Sequence, residues 1–323
     1  MKLAFVYAGQ GSQKVAFVYA GQGSQKVGMG ADFYKEFPAF ANIFDHAPVD
    51  FDLKELCFEG PEEKLSQTRY TQPCMAAFAV GVTNLLYQAG IRPQAAAGLS
   101  LGEYSALYAA GVFSQGTTIS TVAFRGRAME EAAAGLDCSM TAVLGLDREQ
   151  LQTACSRAAE LGVVQICNYN CPGQLVIGGE RAAVDRAGEL ARELGAKRCM
   201  PLKVSGPFHT RLMKPAGDAL AARFRSLDFG PMSIPVYFNC KGGPMEAEDT
   251  IPALLERQVQ SSVYWEDTVR RMEADGIDTA VEIGPGKTLC GFFKKTAPAI
   301  KTYHIDTAAD FHSVVSALKG DHP

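Results

Sequence analysis

The stretch Ala97-Gly98-Leu99-Ser100-Leu101-Gly102-Glu103-Tyr104 reads G-x-S-x-G. An apolar run at 95–97 precedes it and a helix-forming run at 103–110 follows it, so the local reading is strand, sharp turn, helix. A serine on the tip of such a turn sits in a strained backbone, with its hydroxyl pushed out toward a substrate. Gly98 and Gly102 let strand and helix pass close together. Leu101 opens the helix, so its N–H is free to point at a developing oxyanion. Glu103 and Tyr104 are placed to support this turn. Taken alone, the motif also fits a Gly-rich turn carrying an idle serine, and the rest of the chain has to decide between the two.

Composition narrows the classes. The 323 residues suffice for one large domain, or a large and a small one. Apolar content of 47% and charged content of 20% are those of an ordinary globular chain. A net charge of −4 leaves no basic footprint for nucleic acid. No stretch approaches the ~18 uninterrupted apolar residues of a membrane span, and the N-terminus does not read as a secretory signal. Nine cysteines without C-x-x-C pairs suggest reduced thiols in a cytoplasmic protein rather than a disulfide framework, and none has zinc-ligand spacing.

The first 27 residues hold an exact repeat: residues 4–15 and 16–27 both read AFVYAGQGSQKV. Only one copy can fill a single first-strand position. The second runs straight on into Gly28-Met29-Gly30 and a helical segment at 31–40, so 17–19 is expected as the working strand and Gly21-Gln22-Gly23-Ser24-Gln25 as the working loop. Residues 1–15 are then an added arm. A Gly-rich loop between strand and helix presents backbone N–H groups, but the P-loop Lys-Ser/Thr signature is missing. The loop serves as half of an oxyanion hole or as a plain connection.

Farther on, 70–88 reads as a buried helix, and 117–134 as a helix carrying Arg125 and Arg127. Arginines two apart point to different sides of a helix, so one can face a cleft and the other water. A guanidinium in a cleft suits a carboxylate. From 137 the pattern changes to strand 140–144, helix 148–161, strands 163–169 and 174–178 joined by a turn at 170–173, helix 181–194 and strand 198–204. This βαββαβ order predicts a ferredoxin-like unit at 137–204 inserted into a larger α/β domain formed by 16–136 and 205–323. In the large domain, strands at 234–240 and 279–283 alternate with helices at 251–259 and 265–275, which predicts a mostly parallel sheet with helices on both faces. A serine nucleophile needs a base. Of five histidines, His209 in Ser205-Gly206-Pro207-Phe208-His209 is best placed, where the chain returns from the insert.

GQGSQ, G-x-SLGEY, the arginine of AFRGRAM, NYNCPGQ, SGPFH, the glutamine of ERQVQSSVYW and EIGPGKTL fall in one order along 16–306. As a set they resemble the malonyl-CoA:acyl carrier protein transacylases. The resemblance implies an α/β-hydrolase-like core with an inserted ferredoxin-like subdomain and a site in the cleft between them. It implies Ser100 as nucleophile, His209 as general base held by a backbone carbonyl near Gln258, and Arg125 as the grip on the malonyl carboxylate. Gln22 and Leu101 would supply the oxyanion N–H groups, Asn168 and Asn170 border the site, and Phe208 fills space near the acyl α-carbon. Malonyl-CoA and acyl carrier protein are the implied substrate and partner. No metal or resident cofactor is implied, since the phosphopantetheine belongs to the carrier, and a monomer is the default expectation. Two departures stand out. Leu99 replaces the histidine usual before the serine, and Ala20 replaces the proline usual in the first loop. The repeat also leaves Gln10 and Gln22 as competitors for one position. A serine esterase or thioesterase, or a carrier-binding module without catalysis, are the competing readings. The long stretch of chain after His209 disfavours the esterase, whose histidine usually lies near the C-terminus.

Overall fold

The computed structural model describes residues 13–320. In chain order the strands are β1 Val15–Tyr19, β2 Ala95–Gly98, β3 Cys138–Leu144, β4 Val164–Cys171, β5 Gln174–Glu180, β6 Arg198–Pro201, β7 Val236–Phe238, β8 Gly243–Pro244, β9 Thr279–Ile283 and β10 Lys301–Ile305. The helices are α1 Ala31–Glu36, α2 Pro38–Asp45, α3 Leu53–Phe58, α4 Glu62–Leu65, α5 Thr68–Gln88, α6 Gly102–Ala109, α7 Gln115–Ala133, α8 Arg148–Ala158, α9 Arg181–Glu193, α10 Lys214–Phe224, α11 Ile251–Gln260, α12 Trp265–Ala274, α13 Thr288–Thr296 and α14 Ala308–Lys319.

Two sheets result. The larger has the order β10-β9-β1-β2-β7-β8, parallel from β10 to β7 with β8 antiparallel at the edge. Every residue of β1 is buried, as expected of a central parallel strand covered on both faces. The second sheet, β4-β5-β3-β6, is antiparallel throughout, and its chain order β3-α8-β4-β5-α9-β6 is the expected βαββαβ. The mixed α/β fold with an inserted ferredoxin-like unit is therefore present. The sheets meet where β4 touches the segment between α11 and α12: Val263 N–H donates to Cys167 C=O at 2.8 Å, and Tyr169 N–H to Val263 C=O at 2.9 Å.

Several boundaries differ from the sequence reading, each for a local reason. β1 starts at Val15, the last residue of the first copy, because Val15 pairs with Thr279 on β9 and its N–H donates to Gln94 Oε1 at 2.7 Å. The repeat boundary is thus not a structural boundary, and Gln13 and Lys14 are tied to β9 and the residue before it rather than to a separate arm. Residues 1–12, with Gln10, lie outside the described residues. The helix expected at 31–40 is two helices, since Phe37 takes an extended conformation before Pro38 opens α2. Asn170 and Cys171 belong to β4 rather than to the turn. Pro172 and Gly173 suffice to close the hairpin, with Gly173 at φ 70°. β6 ends at Pro201, after which Val204 N–H turns to Leu202 C=O, and β7 ends at Phe238, whose C=O accepts the N–H groups of Lys241 and Gly242 as the chain turns into β8.

Candidate active site

The serine turn is built as its glycines require. A Cβ on Gly98 would lie 2.0 Å from the Gly102 carbonyl carbon, and one on Gly102 would lie 2.4 Å from the Tyr19 carbonyl oxygen. Backbone cannot yield at such distances, so β2, α6 and the end of β1 pass each other only with hydrogen at both positions. Ser100 emerges with φ 55°. His209 lies between β6 and α10 with φ 60°. Its turn is tied by Thr210, whose Oγ1 donates to Pro207 C=O at 2.6 Å and accepts from Leu212 N–H at 3.3 Å. From β4, Gln165 adds a bond to the His209 carbonyl at 3.4 Å and accepts Arg211 N–H at 3.1 Å.

The two side chains meet. His209 Nδ1 lies 2.9 Å from the Gln258 carbonyl oxygen, and Nε2 lies 2.7 Å from Ser100 Oγ. A carbonyl only accepts, so Nδ1 carries the proton and Nε2 is the free base that accepts from the serine hydroxyl. Burial, together with the nearby charge of Arg125, pushes the imidazole down to about 4, although the carbonyls of Gln258 and Ser261 favour its charged form. At neutral pH it is an uncharged acceptor.

Arg125 projects from α7 and is fully buried. Its Nη1 donates to Gln72 Oε1 at 2.9 Å, and Nη2 donates to Gln258 Oε1 at 2.9 Å and to Ser100 Oγ at 3.1 Å. Burial lowers its affinity for its proton, while Tyr104 and Glu103 act the other way. Arg127, two residues on, lies away from the site, half-buried beside Pro48, Asp50 and Arg223. Gln258 has three roles: its carbonyl orients His209, its Oε1 takes Arg125, and its Nε2 donates to the Ser100 carbonyl at 2.7 Å.

A cavity of about 280 Å³ opens over Ser100. Gln22, Leu99, Asn168, Asn170, Phe208 and His209 line it, with Met129, Met140 and Val176 forming part of its apolar wall. Gln22 Nε2 is anchored on Thr68 Oγ1 at 3.0 Å, and among the described residues the N–H groups of Gln22 and Leu101 have no protein acceptor. Leu99 packs against the first loop: a Cβ on Gly21 would lie 2.7 Å from its Cδ2. Asn170 Oδ1 is buried without a partner. Every site residue expected from the sequence thus falls in or beside one cleft. Sequence reading missed Gln72 and Asn239, which hold Arg125 and the serine turn. Each stands far along the chain from what it holds, Gln72 within α5 and Asn239 in the turn after β7, and neither position carries a signal of its own. Among the described residues no group of His, Cys, Asp and Glu could hold a metal, and no helix is long and apolar enough to cross a membrane.

The acyl transferase domain family matches residues 16–309, starting at the first residue of the second copy. The chain is 40% identical over 321 residues to the malonyl CoA-acyl carrier protein transacylase of Bacillus subtilis (strain 168), covering 98% of each chain. It is 41% identical over 297 residues to that of Escherichia coli (strain K12), covering 91% of this chain and 92% of the other. Among solved structures it is similar to MCAT from Streptococcus pneumoniae, with a TM-score of 0.89 and 44% identity over 94% of this chain and 100% of that one. It is also similar to a malonyl-transacylase in complex with its type II PKS acyl-carrier protein, with a TM-score of 0.91 and 38% identity over 95% of this chain and 100% of that one.

Proposed function

The chain belongs to the acyl transferase family, and within it we propose that this protein moves a malonyl group from malonyl-CoA to the phosphopantetheine thiol of acyl carrier protein in the cytoplasm. The observation that carries this reading is the pairing of a Ser–His dyad with a buried arginine, its Nη2 3.1 Å from the serine oxygen. A plain esterase needs the dyad alone. A buried cation with amide partners and no ion pair among the described residues suits a substrate that brings its own carboxylate.

The chemistry runs in two half-reactions. Ser100 Oγ attacks the thioester carbonyl while His209 Nε2 takes its proton. The negative charge on the carbonyl oxygen is met by the N–H groups of Gln22 and Leu101, each such donor being worth ~3 kcal/mol of barrier. The C–S bond breaks, and His209 returns the proton to the coenzyme A thiolate. The carrier thiol then attacks the malonyl-serine ester, with His209 again taking and returning one proton, and ping-pong kinetics follow. Arg125 holds the malonyl carboxylate, and Phe208 limits the substituent at the α-carbon.

The test is intact-mass analysis after mixing with malonyl-CoA, with acetyl-CoA in parallel. A malonyl adduct that disappears in Ser100→Ala and is discharged by added carrier protein supports the reading. Accumulation of free malonate without transfer would turn it toward a hydrolase.

A further inference from the structure

β2 and β7 run parallel, with Ala96 opposite Val236 and Ala97 opposite Tyr237. The ladder ends there, because β2 turns into the serine elbow and β7 stops at Phe238. The next two backbone groups on the elbow, Gly98 C=O and Ser100 N–H, have no strand to pair with. One side chain takes both: Asn239 Nδ2 donates to Gly98 C=O at 2.7 Å, and Ser100 N–H donates to Asn239 Oδ1 at 2.6 Å. A carboxamide carries a donor and an acceptor on one plane, as a peptide group does. Asn239 is fully buried and is itself fixed at both main-chain atoms: its N–H donates to Glu103 Oε2 at 2.6 Å, and its C=O accepts from Tyr264 N–H at 2.9 Å.

We infer that Asn239 is a positioning residue for acyl transfer, its carboxamide continuing the β2–β7 ladder so that Ser100 stays in the left-handed conformation that aims Oγ at His209. A non-glycine residue at φ 55° is strained, and such strain persists only where neighbouring groups over-determine it. Without the carboxamide the peptide at Ser100 is free to relax, which moves Oγ off Nε2 and turns the Leu101 N–H away from the oxyanion. Glu103 acts one step farther out, by fixing the main chain of Asn239. The inference rests on Ser100 being the nucleophile of the proposed transfer.

The experiment measures the rate of malonyl-enzyme formation by rapid quench and mass analysis for the wild type, Asn239→Ala and Asn239→Asp. A wild type that forms no adduct would sink the functional reading itself, so the variants are compared only against an active parent. Misplacing reacting groups by about 1 Å costs about 100-fold. The alanine variant is expected to lose about that much in rate at saturating malonyl-CoA, with KM little changed. The aspartate variant separates positioning from folding. Its neutral acid can donate to Gly98 C=O and accept from Ser100 N–H, whereas its carboxylate can only accept. The titratable groups tied to that position are Glu103 on α6, which accepts the Asn239 N–H and acts on Cys240, and Arg125 on α7, which acts on Glu103; burial favours the neutral acid and the arginine opposes it. Glu103 changes charge near pH 8 beside this position, so the comparison is made in a Glu103→Gln background: the rate of Asn239→Asp relative to its Asn239 parent is expected to rise as pH falls from 9 to 6, where His209 does not titrate. An alanine variant as fast as wild type, a loss confined to KM, or an Asp-to-Asn ratio flat with pH in the Glu103→Gln background would each overturn the inference.

Discussion

Ser100 and His209 are the only non-glycine residues with positive φ among those described, and their side chains meet at 2.7 Å. Strain of order 1–3 kcal/mol per residue is thus concentrated on the two groups that exchange a proton in the proposed reaction. Both are held from outside: Ser100 by Asn239 and Gln258, His209 by Thr210, Gln165 and the Gln258 carbonyl.

The first prediction concerns pH. His209 works as a base only when neutral, and its affinity for a proton is depressed from 6.5 to about 4. The acylation rate kcat/KM is expected to stay flat from pH 8 to about pH 5 and to fall as pH drops through 4. An acid limb centred near 6.5 would contradict the burial argument. His209→Ala is expected to lose about 10²- to 10⁴-fold in the same assay, the usual range for a positioned general base.

In the proposed reaction Arg125 sets substrate class. Its removal leaves the malonyl carboxylate buried without a partner, at a cost of about 3 kcal/mol or more. Arg125→Ala is expected to lose malonyl transfer roughly a hundredfold relative to acetyl, measured by competing the two CoA esters and weighing the adducts. Arg125→Lys should rescue little, because one ammonium cannot span Gln72, Gln258 and a carboxylate as the planar fork does. An unchanged malonyl preference in the alanine variant would remove the arginine from substrate recognition.

Phe208 is buried in the cavity wall next to His209. Replacing its ring with a small side chain opens room where the proposed reading places the acyl α-carbon. Phe208→Ser is expected to raise methylmalonyl against malonyl transfer by about tenfold or more, since one extra carbon is worth about 1–3 kcal/mol in a fitted apolar pocket. Equal selectivity in variant and wild type would show that other residues set the size limit.

Glu103 makes stability pH-dependent. Burial raises its carboxyl to about 8, while the Asn239 N–H and Arg125 pull the other way. A group whose folded value lies above its unfolded value contributes stability that is full below the unfolded value of 4.5 and is lost as pH rises through about 8. Glu103→Gln keeps an acceptor for Asn239 N–H and cannot ionise. Thermal melts from pH 6 to 9.5 are expected to show the wild type losing stability relative to Glu103→Gln at the alkaline end. Parallel curves would mean that Glu103 ionises at its ordinary value.

Much of this was legible in the chain because it is local. A strand, G-x-S-x-G and a helix specify an elbow within eight residues, since steric contact at Gly98 and Gly102 is settled by near neighbours. The βαββαβ order and the apolar run of β1 follow from periodicity over single elements. The choice of the second repeat copy rested on continuity, and β1 does run from Val15 into the loop that holds Gln22. Set apart from local pattern are Gln72 and Asn239, which stand 53 and 139 positions from the Arg125 and Ser100 they serve. A buried glutamine in a helix and an asparagine after a strand have no periodic signature. Their partners are chosen by how helices and strands pack.

The sequence by itself determined the elbow and the two-sheet α/β plan, because these depend on sterics and hydrophobic period along short stretches, whereas Ser100, His209 and Arg125 were singled out together by the order of motifs that resembles the transacylases. Residue pattern left Arg125 and Arg127 equivalent, and the tertiary structure places Arg125 against the serine and the Gln258 carbonyl on His209 Nδ1, as the resemblance implied; it alone decided that a side chain finishes the ladder where β2 leaves β7. Hydrogen bonds of 2.6–3.1 Å tolerate little displacement, so they are specified only once every packed element is in place.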